Sequence, residues 1–217
     1  MSPVHIRLGN KNYSSWSLRA WLVLRATGVP YEEEVIPLDR PETKARLAAR
    51  SPSGRVPVIE HDGGIVWESL AIAEYLAERF PQAGLWPGDA RARAHARAVS
   101  AEMHAGFAAL RTHMPMDIRA RHPGRGRGPG VQEDIDRIVS IWEDCRRRRG
   151  AAGGFLFGGF CIADAMYAPA VTRFVTYGVP LPPAAAAYRD AVLAWPAMVE
   201  WAAAAAAEPW EIPTPVV

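Results

Sequence analysis

Three short stretches carry residue types that can do chemistry together. The first is Asn10-Lys11-Asn12-Tyr13-Ser14-Ser15-Trp16-Ser17-Leu18-Arg19, which puts a pair of hydroxyls between an apolar start and a helical pattern. A hydroxyl at the first turn of a helix can donate to an anion or thiolate, and the helix dipole adds to the attraction. The second is Arg55-Val56-Pro57. A proline opening a strand belongs at an edge, where the preceding backbone can pair with an extended peptide. The third is Glu68-Ser69, directly after a strand pattern and at the start of a helical one. Ser69 can donate to a carboxylate held at that helix start, and Glu68 can accept from an ammonium, so the pair suits the head of an amino acid. Each stretch also has a plain structural reading. Ser14 and Ser69 have the types of helix caps, and Pro57 of an ordinary trans turn.

The elements that must position these residues follow from periodicity. Val4 to Leu8 alternates apolar and polar residues, as a strand does. From Ser14 to Thr27 the pattern turns helical, with Leu18, Trp21 and Leu22 on one face, and Gly28-Val29-Pro30 ends it. Tyr31 to Ile36 reads as a strand, Pro41 to Arg50 as a short polar helix, and Val56 to Glu60 and Gly64 to Trp67 as strands joined by an Asp62-Gly63 turn. A helix from Glu68 to Phe80 completes the order β-α-β-α-β-β-α. Strand patterns then stop. Helices are expected over 89–116, 131–149, 162–177, 184–193 and 196–207, with the Gly- and Pro-rich run 122–130 as a mobile loop. The predicted organisation is an α/β domain over 1–81, a linker over 82–88 and an all-helical domain over 89–217.

Composition excludes several classes. The 217 residues are 49% hydrophobic and 22% charged with a net charge of +2, which suits a globular core and gives no reason to expect a nucleic-acid or membrane partner. No secretory signal pattern follows Met1, and the two cysteines, Cys145 and Cys161, make no redox pair, which fits a reducing cytoplasm. No cluster of metal-ligand spacing is present, and His95, His104 and His113 read as helix-surface or cleft residues.

The three stretches together resemble the glutathione-binding domain of the cytosolic glutathione transferases. Ser14-Ser15-Trp16-Ser17-Leu18-Arg19 is similar to the Ser-Ser-Cys-Ser-x-Arg signature of the serine-using zeta class, which includes maleylacetoacetate isomerases, and departs from it at Trp16. Ser51-Pro52-Ser53-Gly54-Arg55-Val56-Pro57-Val58 and Glu68-Ser69-Leu70-Ala71-Ile72-Ala73-Glu74-Tyr75-Leu76 are similar to the family's other two motifs. In the helical half, Cys161-Ile162-Ala163-Asp164 resembles the family's capping box, with a thiol in place of its hydroxyl.

The resemblance implies a thioredoxin-like domain followed by an all-helical one. It implies a cis Val56–Pro57 bond and glutathione as co-substrate, held by Arg55, Val56, Pro57, Glu68 and Ser69. It makes Ser14 the hydroxyl that activates the thiol, with Ser15 as neighbour or substitute. The acceptor pocket for a small hydrophobic or unsaturated electrophile would take Met103, Phe107, Arg111, Met114 and Arg173, with Trp210 as a further candidate. Arg173 lies one turn before Thr176, the position at which the isomerases carry an arginine. A homodimer and a cytoplasmic location are also implied, and the reaction would be conjugation or glutathione-dependent isomerisation. The alternative is a binding or interaction module of the same fold with little catalysis. A redox role is disfavoured by the absence of cysteine from 14–17.

Overall fold

A computed structural model describes residues 2–149 and 153–213. Strand β1 (Val4–Leu8) buries Val4, Ile6 and Leu8 and sits inside a four-stranded sheet, between the strands Tyr31–Val35 and Val58–His61, with Gly64–Trp67 beyond the latter. Strand β2 (Tyr31–Val35) runs parallel to β1, while β3 (Val58–His61) and β4 (Gly64–Trp67) are antiparallel to their neighbours. The parallel step requires a crossover, which helix α1 (Ser15–Thr27) supplies. Gly28, at φ 70°, stops α1 in the left-handed region where glycine carries no Cβ penalty. Asp62 and Gly63, at φ 48° and 77°, make the tight β3–β4 turn expected of that pair. Helix α2 (Thr43–Ala48) is short, and α3 (Ser69–Arg79) packs beside α1.

The regular elements after α3 among the described residues are all helices, apart from two isolated bridges at 155–159. Helix α4 (Ala90–Ala105) starts on an Asp89 cap whose carboxylate accepts from the Ala92 N–H at 2.7 Å. The single long helix expected over 89–116 does not form. It breaks at Gly106-Phe107, and α5 (Ala108–His113) begins anew. Gly106 lies at ψ −166° and Phe107 at φ 59°, and Asp134 of α6 (Val131–Arg149) takes the Leu110 N–H at 2.9 Å. A tertiary carboxylate thus supplies the cap that restarts the helix, overriding the propensity of an Ala-rich run.

The run 122–130 is not loose either. The His122 and Gly124 N–H groups donate to the Thr176 and Tyr177 carbonyls, and Gly126 (φ 73°) passes so near His113 that a Cβ would lie 2.6 Å from its carbonyl oxygen.

Helix α7 (Ile162–Thr176) is the axis of the helical half. Every residue in it but Val175 is buried, and it packs against α1, α4 and α8 (Pro183–Ala194). Helix α9 (Pro196–Ala207) closes the chain against α1 and α8. The α7 capping box forms with its thiol: the Asp164 carboxylate accepts from the Cys161 N–H at 2.8 Å and from the Leu156 N–H at 3.0 Å. Burial pushes the Asp164 carboxyl up to about 6, and the two N–H donors oppose that shift.

The folded state therefore holds this proton more tightly than the unfolded chain does. The carboxyl's favourable contribution is complete below its ordinary value of 3.8 and is lost as pH rises to about 6. Thermal midpoints measured across that window should fall in the wild type relative to Asp164→Asn, which carries no titrating group. Parallel curves for the two proteins would refute it.

Candidate functional site

The loop from Gly9 to Tyr13 and the first turn of α1 form one wall of the site. Ser14 is the N-cap of α1: its Oγ accepts from the Ser17 N–H at 3.3 Å and donates to the Ser17 Oγ at 2.8 Å. Ser17 Oγ also accepts from the Gly9 N–H at 2.9 Å, so the cap is tied back to the end of β1. Ser15 begins the helix, and its Oγ makes no hydrogen bond among the described residues. Both serines are nearly buried, at 7% exposure each.

The loop itself is pinned from the far end of the chain. The Lys11 and Asn12 N–H groups donate to the Glu208 carboxylate at 2.6 and 3.1 Å. Arg119 donates to the Tyr13 hydroxyl and to the Glu208 and Trp210 carbonyls.

The opposite wall comes from the β3 and α3 starts. The Val56–Pro57 bond is cis. Glu68 turns the chain from β4 into α3 at φ 72°, a region that side chains rarely adopt and that clusters where ligands are gripped. Its carboxylate lies 3.4 Å from His104 Nε2 of α4. Burial pushes His104 below its ordinary value, so the imidazole is neutral at pH 7. Ser69, 1% exposed at the first position of α3, has no partner for its Oγ. An unbonded buried hydroxyl beside the free N–H groups of a helix start is matched to a carboxylate.

Two cavities meet here, and Trp16 borders both. The smaller, about 100 Å³, is lined by Ser53, Arg55, Val56, Pro57, Glu68 and Ser69, so the structure gathers every residue the sequence proposed for the peptide end. The larger, about 490 Å³, is lined by Ser14, Ser15, Arg111 and Arg173 together with Tyr13, Leu38, Thr112, Pro115, Met116, Ile212 and Pro213. Met103 and Met114 are fully buried and Phe107 nearly so, and none of the three borders this cavity; they pack the core instead. Trp210 does not border it either, and Ile212 and Pro213 supply that rim. A groove of about 350 Å³ between α4 and α6 contains none of the proposed residues.

The Trp16 ring is a crowded partition. The Arg19 guanidinium carbon lies 4.4 Å from its centroid, that of Arg111 lies 5.5 Å away, and His104 meets it edge-on at 5.2 Å. Arg111 also donates to the Met103 and His104 carbonyls, and Arg173 to the Met114 carbonyl. Burial, reinforced by the like charges of Arg173 and Arg111, holds Arg19 down to about 9. Arg173 is held down to about 10 by burial and by Arg111.

Sequence reasoning assigned no role to Arg19, although it closes the Ser-Ser-Trp-Ser-Leu-Arg motif; its burial is the signal that a lone sequence withholds. His104 is the cleft residue among the three helical histidines, since His113 lies under Gly128 and His95 meets Phe157. The two thiols are remote from this chemistry. Burial pushes Cys145 up to about 12 and Cys161 well above its ordinary value.

Comparison with known proteins agrees with this architecture. The model of the glutathione S-transferase N-terminal domain matches residues 13–79. A probable glutathione transferase of Aplysia californica is 37% identical over 82 residues, which are 38% of this chain and 87% of that protein. A probable maleylacetoacetate isomerase of Caenorhabditis elegans is 41% identical over 96 residues, and the match spans only 44% of either chain. A crystal structure of a glutathione transferase homolog from Burkholderia with bound glutathione superposes with a TM-score of 0.73 at 26% identity, covering 94% of this chain and 99% of that one. The chain belongs to the glutathione transferase family. Within that family its resemblance runs to the zeta-like, isomerase-type members.

If Ser69 serves a ligand carboxylate, Ser69→Ala should weaken glutathione binding roughly 10- to 100-fold, the worth of a hydrogen bond to a charged group, and should leave the thermal midpoint of the free protein unchanged. Calorimetric titration reads the first and a melting curve the second; an unchanged affinity would remove Ser69 from the site.

Proposed function

We propose that this protein activates glutathione and transfers or isomerises through it, acting on a small hydrophobic or unsaturated electrophile. In this reading the γ-glutamyl head enters the smaller cavity, its carboxylate at Ser69 and the α3 start, its ammonium at Glu68. The Val56 backbone pairs with the cysteinyl peptide unit, Arg55 flanks it, and the sulfur then lies at the serine pair. The electrophile occupies the larger cavity, against Arg111 and Arg173. The observation that supports this most is the orphaned Ser69 hydroxyl in a cavity whose wall, Trp16, is shared with the cavity that Ser14 and Ser15 line. No metal enters the scheme.

Ser14 is the activating hydroxyl, with Ser17 as its relay. In the structure Ser14 donates to Ser17 at 2.8 Å. Rotation of both hydroxyls reverses that bond, so that Ser14 Oγ accepts from Ser17 twice and turns its own hydrogen to the sulfur. A hydrogen bond to a thiolate contributes about 1.5–3 kcal/mol, which lowers the thiol pKa by about one to two units. The inward-turned bond also supports a second reading, a module that binds glutathione with little turnover.

The division into a glutathione-binding domain over 1–81 and an acceptor domain over 89–217, joined by 82–88, belongs to the same proposal. So do a cytoplasmic location and a homodimer. Ile65 and Trp67 on the β4 edge, 46% and 42% exposed, favour a partner surface on that side.

Ser14→Ala should raise the pKa of bound glutathione and cut turnover about tenfold or more, with Ser15→Ala doing less and Ser17→Ala falling between. Ultraviolet absorbance of the thiolate across pH, beside a panel of electrophiles, checks this. A wild-type protein that binds glutathione and turns over no electrophile would select the second reading. Light scattering should give a particle of twice the 23.7 kDa chain mass; a monomer at micromolar concentration would overturn the dimer.

A further inference from the structure

We propose that Arg19 of α1 and Arg173 of α7 together bind a small monovalent anion behind the acceptor cavity. Both side chains are buried, at 1% and 3% exposure. Arg19 has no hydrogen-bond partner for Nε, Nη1 or Nη2, and Arg173 has none for Nη1. Four buried donors of the two guanidinium groups are thus unsatisfied among the described residues. A buried polar group without a partner is costly, and a buried charge without one more so.

The surroundings do not supply the missing charge. Arg19 lays the face of its guanidinium on Trp16, an interaction that leaves its N–H edge unoccupied. The charged groups that bear most on Arg19 are Arg173 and Arg111, of its own sign. Glu68 acts on it only weakly, being half-exposed and next to His104. Burial pushes the Tyr167 phenol up, so it stays neutral, and its hydroxyl is spent on the Val99 carbonyl. Arg111 donates to backbone carbonyls. Two buried cations on the contacting helices α1 and α7, close enough for Arg173 to act on Arg19 and each with an unpartnered donor, suit an anion site. Because α1 and α7 pack against each other, the ion proposed is a small one, a halide or a one-carbon carboxylate.

The ion can come from solution, or it can be the carboxylate end of a molecule reaching past Arg173, which also borders the acceptor cavity. In either case the shared chemistry is a single compact negative charge.

Thermal unfolding without glutathione or electrophile tests the site independently of the proposed activity. Wild type and Arg19→Met are melted in sodium gluconate, too bulky to enter, with gluconate exchanged for formate or chloride at constant ionic strength. The wild-type midpoint should rise by ~5 °C and saturate, as expected for a ligand at about one hundred times its dissociation constant. The Arg19→Met midpoint should not move with either anion, and in gluconate it should equal or exceed that of wild type, since an uncompensated charge is gone. Response to both anions marks a site for free ions, and response to formate alone marks a carboxylate site. A flat wild-type curve, or an Arg19→Met curve that rises as wild type does, overturns the proposal. Should Arg19→Met not fold, chloride-35 line broadening by the wild-type protein, reversed by formate, decides the matter, and its absence refutes the site.

Discussion

Helix α1 has almost no free surface, and the arrangement of the site depends on that. Every residue from Ser15 to Leu24 except Trp16 is buried, because α3 packs along one side while α7 and α9 close the other. A helix gripped by both the sheet layer and the helical bundle cannot rotate or slide without opening two apolar contacts at once. Its N-terminus is therefore a fixed point. Ser14, Ser15 and Trp16 project from that point into the seam where the two layers part, and the orientation of the hydroxyls is set by packing several turns away. Trp16 is the exception that the geometry requires: it is the one residue of that stretch with a free face, and it becomes the partition between two cavities.

The same confinement shapes the electrostatics. Arg19 is carried into the interior because its helix is buried all round, and α7 delivers Arg173 to the same region. The interior around the seam is positive, with Arg111 at its edge and His104 neutral beside it. Fixed positive charge in a poorly hydrated place favours the ionised form of any acid brought near it. It does so without a proton being moved by the protein, and it costs no rearrangement when the acid arrives.

Much of the first layer was legible in the sequence, since alternation in Val4–Leu8, the Asp62-Gly63 turn and the Gly28 stop each encode local geometry. That Val56, Pro57, Glu68 and Ser69 come together in the smaller cavity follows from the same kind of signal: they sit at element ends, where sequence marks position. The residues proposed for an acceptor pocket were less legible. Met103, Phe107 and Met114 have the character of pocket linings, yet all three pack the core, and the helix expected to carry them breaks at Gly106. That break depends on Asp134, a residue of another helix, and no local pattern reports it. Arg19 was hidden likewise, because its significance lies in its burial and in what acts on it across the seam. The Gly-rich run 122–130 looked loose by composition, but its glycines serve close approach to His113 and Tyr177.

The clasp between Glu208 and the Lys11 and Asn12 amides joins residues separated by 196 and 197 positions in the chain. Synthesis on the ribosome makes the serine pair and the whole α/β layer long before Glu208 and the residues that Arg119 grips exist. The early segment can fold as a unit while the rest is still being made, but its loop from Lys11 to Tyr13 lacks its tether until the closing stretch has been translated and has docked. The rim that Ile212 and Pro213 give the larger cavity is made later than the serines it faces. A nascent chain thus passes through a stage in which the lining of the smaller cavity has been made and that of the larger has not.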